Sequence, residues 1–182
     1  MYDGHKQSSF LEIPGAREFG IEFHTLSKSH NMAGWRFGFV VGNAEIIKTL
    51  AKTKSYLDFG IFRAVQEAAI AALEGPQDCV DRMVKLYEER RNVLVDGLNA
   101  IGWKTEKPKG TFYVWTRIPH KYSALTALEF CTLMVDEIGV AVSPGTGFGE
   151  AGEGYVRFAL VEDVVRIKAA LVKIKMKKKK KD

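Results

Sequence analysis

The sequence predicts a mixed α/β protein, and three observations carry that prediction. Short apolar runs rich in aromatic and β-branched residues alternate with stretches of helical periodicity. Glycine and proline fall mostly between those stretches. A content of 46% hydrophobic and 27% charged residues is that of a globular chain able to bury a core.

The elements follow in order. Phe19 to Leu26 and Trp35 to Val41 read as two strands separated by a polar loop. Asn43 caps a helix carrying Ile46, Ile47 and Leu50, and Phe62 to Leu73 is an alanine-rich helix ended by Gly75-Pro76. Asp78 caps a long helix whose apolar positions Met83, Val84, Tyr87, Leu94 and Leu98 keep helical spacing, with Glu88, Glu89, Arg90 and Arg91 as its wet face, and Gly102 closes it. Thr111 to Ile118 is a strand, Ala124 to Ile138 a helix, Val140 to Ser143 and Tyr155 to Val161 strands, and Val164 to Ile174 a last amphipathic helix.

A domain boundary is expected within the long helix: residues 1–78, a connecting helix 79–101, a small α/β domain 102–175 and a lysine-rich tail 176–182. The first part is short of material, because two buried strands and three helices cannot cover both faces of a parallel sheet. Part of that domain is expected to lie elsewhere.

Charge and cysteine content narrow the functional classes. The net charge is +5, but the last ten residues hold seven lysines and one aspartate, net +6, which leaves −1 for the remainder. A nucleic-acid footprint should be a basic face on the folded part, so no polynucleotide partner is expected. No apolar stretch reaches the roughly 20 residues of a bilayer span, the first residues carry no secretory pattern, and a cytoplasmic address follows. Cys79 and Cys131 have no close ligand partners at zinc spacing, which predicts buried reduced thiols. His24 and His30 likewise suggest no metal site.

The chemistry concentrates in Thr25-Leu26-Ser27-Lys28-Ser29 and Arg36. A lysine amine that attacks a carbonyl must lose its proton, which desolvation or a neighbouring cation favours. Thr25, Ser27 and Ser29 can donate to phosphate oxygens, and Arg36 can grip a phosphate with two nitrogens. The set describes a phosphorylated carbonyl held beside an amine, the chemistry of pyridoxal phosphate. An exposed lysine in a serine-rich loop is the plainer reading of these residues taken alone.

Thr25-Leu26-Ser27-Lys28 with Asn31-Met32-Ala33-Gly34-Trp35-Arg36 resembles the Schiff-base segment of fold-type I, class I/II aminotransferases, which keep a Ser or Thr three residues before the lysine and an Arg eight after. The likeness runs through "SFLEIPGAREFGIEFHTLSKSHNMAGWRFGFVVGN", "GTFYVWTRIP" and "GVAVSPGTGFGEAGEGYVRFAL". It is most similar to the LL-diaminopimelate and alanine/aspartate aminotransferase-like subgroup. The resemblance implies the C-terminal portion of such an enzyme: an incomplete cofactor-binding large domain plus a small α/β domain, working as a homodimer with pyridoxal 5′-phosphate. Lys28 would be the catalytic Schiff-base lysine, Thr25, Ser27 and Arg36 would hold the phosphate, and Arg157 would take the substrate α-carboxylate.

The reaction implied moves an amino group between an L-amino acid and a 2-oxo acid, of the diaminopimelate/glutamate type first and with alanine or aspartate next. The family's aspartate on the pyridine nitrogen and tyrosine on the phenolic oxygen would fall before Met1. Asp3 matches the position after them and is not their substitute. This chain is therefore expected to be inactive alone, the alternative being a silent fragment or interaction module.

Two further stretches carry weaker signals. "GFGEAG", Gly147 to Gly152, fits G-x-G-x-x-G but leads toward a strand, whereas a dinucleotide fingerprint opens a helix. "KSYLDFGIF" lies where the family approaches its partner subunit, with Tyr56 and Phe59 departing from the usual Asn and Ser.

Overall fold

The structure, a computed structural model, describes residues 1–179, with side chains through Met176. It separates into a unit of Lys6–Met83 and a second of Met1–His5 with Val84–Asp182. The boundary falls inside one long helix.

The Lys6–Met83 unit contains α1 (Ala16–Phe19), β1 (Ile21–Thr25), β2 (Gly38–Gly42), α2 (Ala44–Leu57), α3 (Arg63–Glu74) and the first residues of α4 (Asp78–Ala100). β1 and β2 pair antiparallel, from Ile21 opposite Gly42 to Thr25 opposite Gly38. Residues 26–37 contain no crossover helix, the usual connection between parallel neighbours, and an antiparallel pair is compatible with the mixed sheet that the resemblance implies. Trp35, assigned to a strand, sits instead in a 3-10 turn (Ala33–Trp35), and Arg36 in the left-handed region keeps the strand from starting before Gly38. Phe19 closes α1 rather than opening β1. Asn43 does cap α2, accepting from the Ile46 amide at 3.0 Å while its own amide donates to the Glu18 carbonyl at 2.6 Å.

In the second unit α4 leads to β3 (Tyr113–Arg117), α5 (Ala127–Leu133), a π-helical turn (Met134–Ile138), β4 (Ser143–Pro144), β5 (Tyr155–Ala159) and α6 (Val164–Lys179). The sheet order is β3-β5-β4, all antiparallel. Alternation along the strands sorts the faces: Val114, Thr116, Val156 and Phe158 are buried against Leu94, Val95, Leu98 and Phe130. Tyr113, Trp115, Tyr155 and Arg157 take the other face.

The helix expected over Ala124–Ile138 begins at Ala127, where Thr126 and Glu129 form a capping box that fixes the start by satisfying free amides. The strand expected at Val140–Ser143 shrinks to Ser143–Pro144. α6 runs through Lys179, five residues beyond the expected end at Ile174, and positions 180–182 of the lysine-rich tail lie outside the described residues.

Two side-chain expectations are overturned. Cys79, in the first turn of α4, is exposed; Cys131 is buried as expected, desolvation raising its thiol pKa, and both are free. Arg91, placed on the wet face of α4, is 1% exposed. Its Nη1 and Nη2 donate to the two Asp3 carboxylate oxygens at 2.7 and 3.0 Å, and further bonds reach the Pro108 carbonyl and Asn92 Oδ1. Tyr2 lies under the guanidinium, 4.6 Å from ring centre to Cζ. A buried arginine is tolerable because its donors are matched in this way. Local periodicity could not show a partner 88 residues away.

Candidate active site

β1 delivers Thr25 to the base of the loop, and the register places it opposite Gly38 at the loop's other end. The Thr25 hydroxyl is 2.9 Å from both the Phe37 carbonyl and the Ser27 hydroxyl. It has one proton, so it donates to one of them at a time, and it also accepts from the Ser27 amide at 3.1 Å. The loop is held from beneath by Leu26 and Met32, which are buried with Ala69 of α3, and by the His30 and Met32 amides, which both donate to the Leu26 carbonyl. Lys28 therefore stands on a turn anchored by the apolar residues on either side of it. Its own side chain is exposed and takes part in an interaction.

Thr25 and Ser27 are brought together, with Lys28 next in the chain. Arg36 closes the other end of the loop, exposed, with Nη1 donating to the Ala33 carbonyl at 2.9 Å. Its backbone is left-handed, φ 52°, a conformation that costs a non-glycine residue about 1 kcal/mol. Strain of this kind collects at functional positions. Asn31, at φ 54°, shares the conformation but is a residue type that accepts it readily. His24 Nε2 lies 2.8 Å from Glu22 Oε1; Glu22 is itself held below its ordinary pKa, chiefly by the Ser9 hydroxyl.

Arg157 belongs to the other unit, on the central strand β5, opposite Trp115 of β3 and Ser143 of β4. Its guanidinium lies between two rings, 4.0 Å from Tyr113 and 4.0 Å from Phe148. Phe148 packs edge-on to Trp115, which stacks on Tyr155. With both faces of the guanidinium covered, its remaining polar capacity lies in its own plane, the geometry in which a carboxylate binds two nitrogens. Its Nε is buried without a hydrogen-bond partner, and such a donor costs about 1–3 kcal/mol unless something accepts from it. The sequence singled out Arg157; it gave Phe148 no role, because a ring nine residues away becomes a neighbour only when the glycine-rich loop folds back. That loop forms two 3-10 turns and enters β5 rather than a helix, which removes the dinucleotide reading.

In the Lys6–Met83 unit a hydroxyl pair, a lysine and an arginine share one loop, groups able to donate to a phosphorylated aldehyde; in the other unit Arg157 has the in-plane donors that suit a carboxylate. The model of the family "Aminotransferase class I and II" matches residues 12–174, and the chain belongs to that family. Its members use pyridoxal 5′-phosphate. Among relatives, the chain is 52% identical to glutamate-pyruvate aminotransferase AlaC of Escherichia coli (strain K12), over 96% of this chain and 42% of that protein. It is 46% identical to LL-diaminopimelate aminotransferase of Moorella thermoacetica, over 96% and 44%. The crystal structure of an aromatic aminotransferase from Pyrococcus horikoshii OT3 superposes with a TM-score of 0.91 at 35% identity, covering all of this chain and 48% of that one. The chain thus spans somewhat less than half the length of the relatives it matches.

Proposed function

We propose that this chain supplies the lysine-bearing part of a pyridoxal-phosphate-dependent aminotransferase that moves an amino group between an L-amino acid and a 2-oxo acid. The observation that carries the reading is the Thr25–Ser27 hydroxyl pair, 2.9 Å apart, on the anchored loop that presents Lys28. The donor set fits the cofactor: Thr25, Ser27 and Arg36 would hold its phosphate and Lys28 its aldehyde. When bound, the cofactor supplies an electron-withdrawing ring that stabilises charge developing at the substrate Cα.

Each residue then has one task. Arg157 binds the substrate α-carboxylate and so sets which Cα bond is aligned for cleavage. Lys28 Nζ, in its neutral form, would take the proton from the substrate Cα and deliver it on the cofactor side, so that the proton changes carbon rather than going back. Tyr113 and Phe148 hold the Arg157 guanidinium between them. The acid facing the pyridine nitrogen is not supplied by Asp3, whose carboxylate is committed to Arg91. No residue of this chain is assigned to that nitrogen, and turnover by this chain alone is not expected.

Two amino donors are supported by relatives' names. LL-diaminopimelate with glutamate is the first reading, in line with several relatives 45–49% identical; glutamate–pyruvate exchange is the second, favoured by the 52% identity to AlaC. The assembly proposed is a homodimer. Tyr56, Leu57, Phe59 and Phe62 are each at least 77% exposed, a surface that a second subunit would cover.

The experiment is incubation with pyridoxal phosphate, borohydride reduction and peptide mapping. A single stable adduct on Lys28, lost in Lys28→Ala, is the expected result. No adduct, or label spread over the lysines of the C-terminal tail, would replace this reading with a silent aminotransferase-like fragment.

A further inference from the structure

Away from Arg157, the second unit contains an apolar cavity of about 260 Å³. Its walls are Trp103, Phe130, Met134, Ile138 and Ile174, each no more than 8% exposed. Roughly 150 Å³ of such space is enough for benzene, so this one takes a ring with a short chain. Two of the walls, Met134 and Ile138, stand on the π-helical turn that ends at Gly139. Such turns are rare and concentrate at functional sites. Gly102, also in the lining, adds no side chain to the cavity. Trp103 is fixed by its indole N–H, which donates to the Arg117 carbonyl at 2.8 Å.

The mouth of the cavity is cationic. Its exposed lining residues include His120 and Lys121, with Lys121 Nζ 4.8 Å from the Tyr122 ring centre. Gly102, Trp103, Pro119 and His120 also line a larger adjoining hollow of about 610 Å³, to which Lys104 and Arg117 contribute. Glu153 is the one carboxylate lining that hollow, and its Oε1 accepts from the Ala127 and Gly154 amides at 2.7 and 2.9 Å. No ion pair to Lys104, Arg117 or Lys121 forms among the described residues.

We propose that this cavity is a binding site, separate from the transamination residues, for a small amphipathic carboxylate: an aromatic or branched apolar body in the cavity and the carboxylate at its cationic mouth. The apolar walls select the body, because only an apolar group restores the dispersion contacts an open cavity lacks. The charges select the head, since an ammonium there would face like charge. The proposal stands on residues of one unit and does not depend on the role of Lys28.

The test uses the full chain, labelled at methionine and isoleucine methyls, titrated with 4-phenylbutyrate, 4-phenyl-1-butanol and 4-phenylbutylamine. The carboxylate is expected to shift the Met134 and Ile138 methyl signals with a Kd on the order of 1 mM, as suits a fragment of this size. The alcohol should bind about 3- to 10-fold more weakly and the amine more weakly still. Lys121→Glu, at an exposed position, should reduce carboxylate affinity by about the same factor and leave the alcohol unchanged. Ile174→Phe should remove binding of all three. Because Arg157 is proposed to bind carboxylates too, the methyl signals decide the question rather than total heat. Equal binding of the three probes, shifts confined to the Arg157 face, or no shift at 10-fold above the expected Kd would overturn the proposal. Should Ile174→Phe fail to fold, the charge series and Lys121→Glu still decide it.

Discussion

The two units are built to different standards. The Val84–Asp182 unit has a continuous core in which Val95, Leu98, Val114, Val156 and Leu160 are completely removed from solvent. The Lys6–Met83 unit buries Leu26, Met32 and Ala69 together and exposes Phe19, Phe23, Tyr56, Leu57, Phe59 and Phe62. Burial is worth about 25 cal/mol per Å² of apolar surface, so the Val84–Asp182 unit draws more stability from its core than the Lys6–Met83 unit does from its own. The lysine loop lies in the thinly packed unit, and the arginine sandwiched between rings lies in the well-packed one.

The largest effect should appear in hydrogen exchange. Amides of β3, β5 and the core half of α4 are expected to be protected by orders of magnitude more than those of β1, β2 and α2, since exchange follows local stability. Equal protection in the two units would remove the comparison altogether. Next, Leu98→Ala should cost about 2–5 kcal/mol in urea unfolding followed by tryptophan fluorescence, while Ala69→Gly, in the thin core, should cost about 1 kcal/mol. Comparable losses would mean that the smaller cluster is better supported than its burial indicates. A smaller change is expected from Phe59→Ser: the exposed patch loses its most exposed ring, and self-association measured by sedimentation should weaken without a shift in the unfolding midpoint.

How far the sequence was legible follows the same division. α2, α3, α4, β3 and β5 were readable because caps and periodicity are local; Asn43 and Gly75 mark boundaries within one turn of where they fall. The lysine loop was readable as a motif of fixed spacing, together with Arg157. Three things were not. The pairing of β1 with β2 depends on the connection's path rather than on either strand's composition. The start of α5 was missed because periodicity alone does not register a cap, here the Thr126–Glu129 capping box. Arg91 looked like surface charge because its neighbours Glu88, Glu89 and Arg90 are charged, while the carboxylate that permits its burial belongs to the N-terminal residues.

That Arg91–Asp3 pair yields the smallest and most specific prediction, one that ties Met1–His5 to the well-packed unit. The Asp3 carboxyl is held below its ordinary pKa, first by its hydrogen bond to Arg91, with Glu88 and His5 adding to the effect; Arg91 is raised in turn by Asp3. A carboxyl whose folded pKa is depressed contributes stability that is present above its unfolded pKa and is lost as pH falls through the folded value. At neutral pH the wild-type chain should therefore unfold at a higher urea concentration than Asp3→Asn. On acidification the two midpoints should converge, because protonated Asp3 presents no more charge to Arg91 than asparagine does. The Asp3 side chain is 55% exposed, so solvent screens the pair and the gap at neutral pH should be small. Arg91→Met should lose the same pH-dependent step while behaving differently at neutral pH, since it removes the buried charge together with its partner's reason for binding. A gap between wild type and Asp3→Asn that stays constant from neutral to acid pH would show that the N-terminal residues are held by the Tyr2 hydroxyl, which donates to the Thr111 carbonyl at 2.6 Å, rather than by the ion pair.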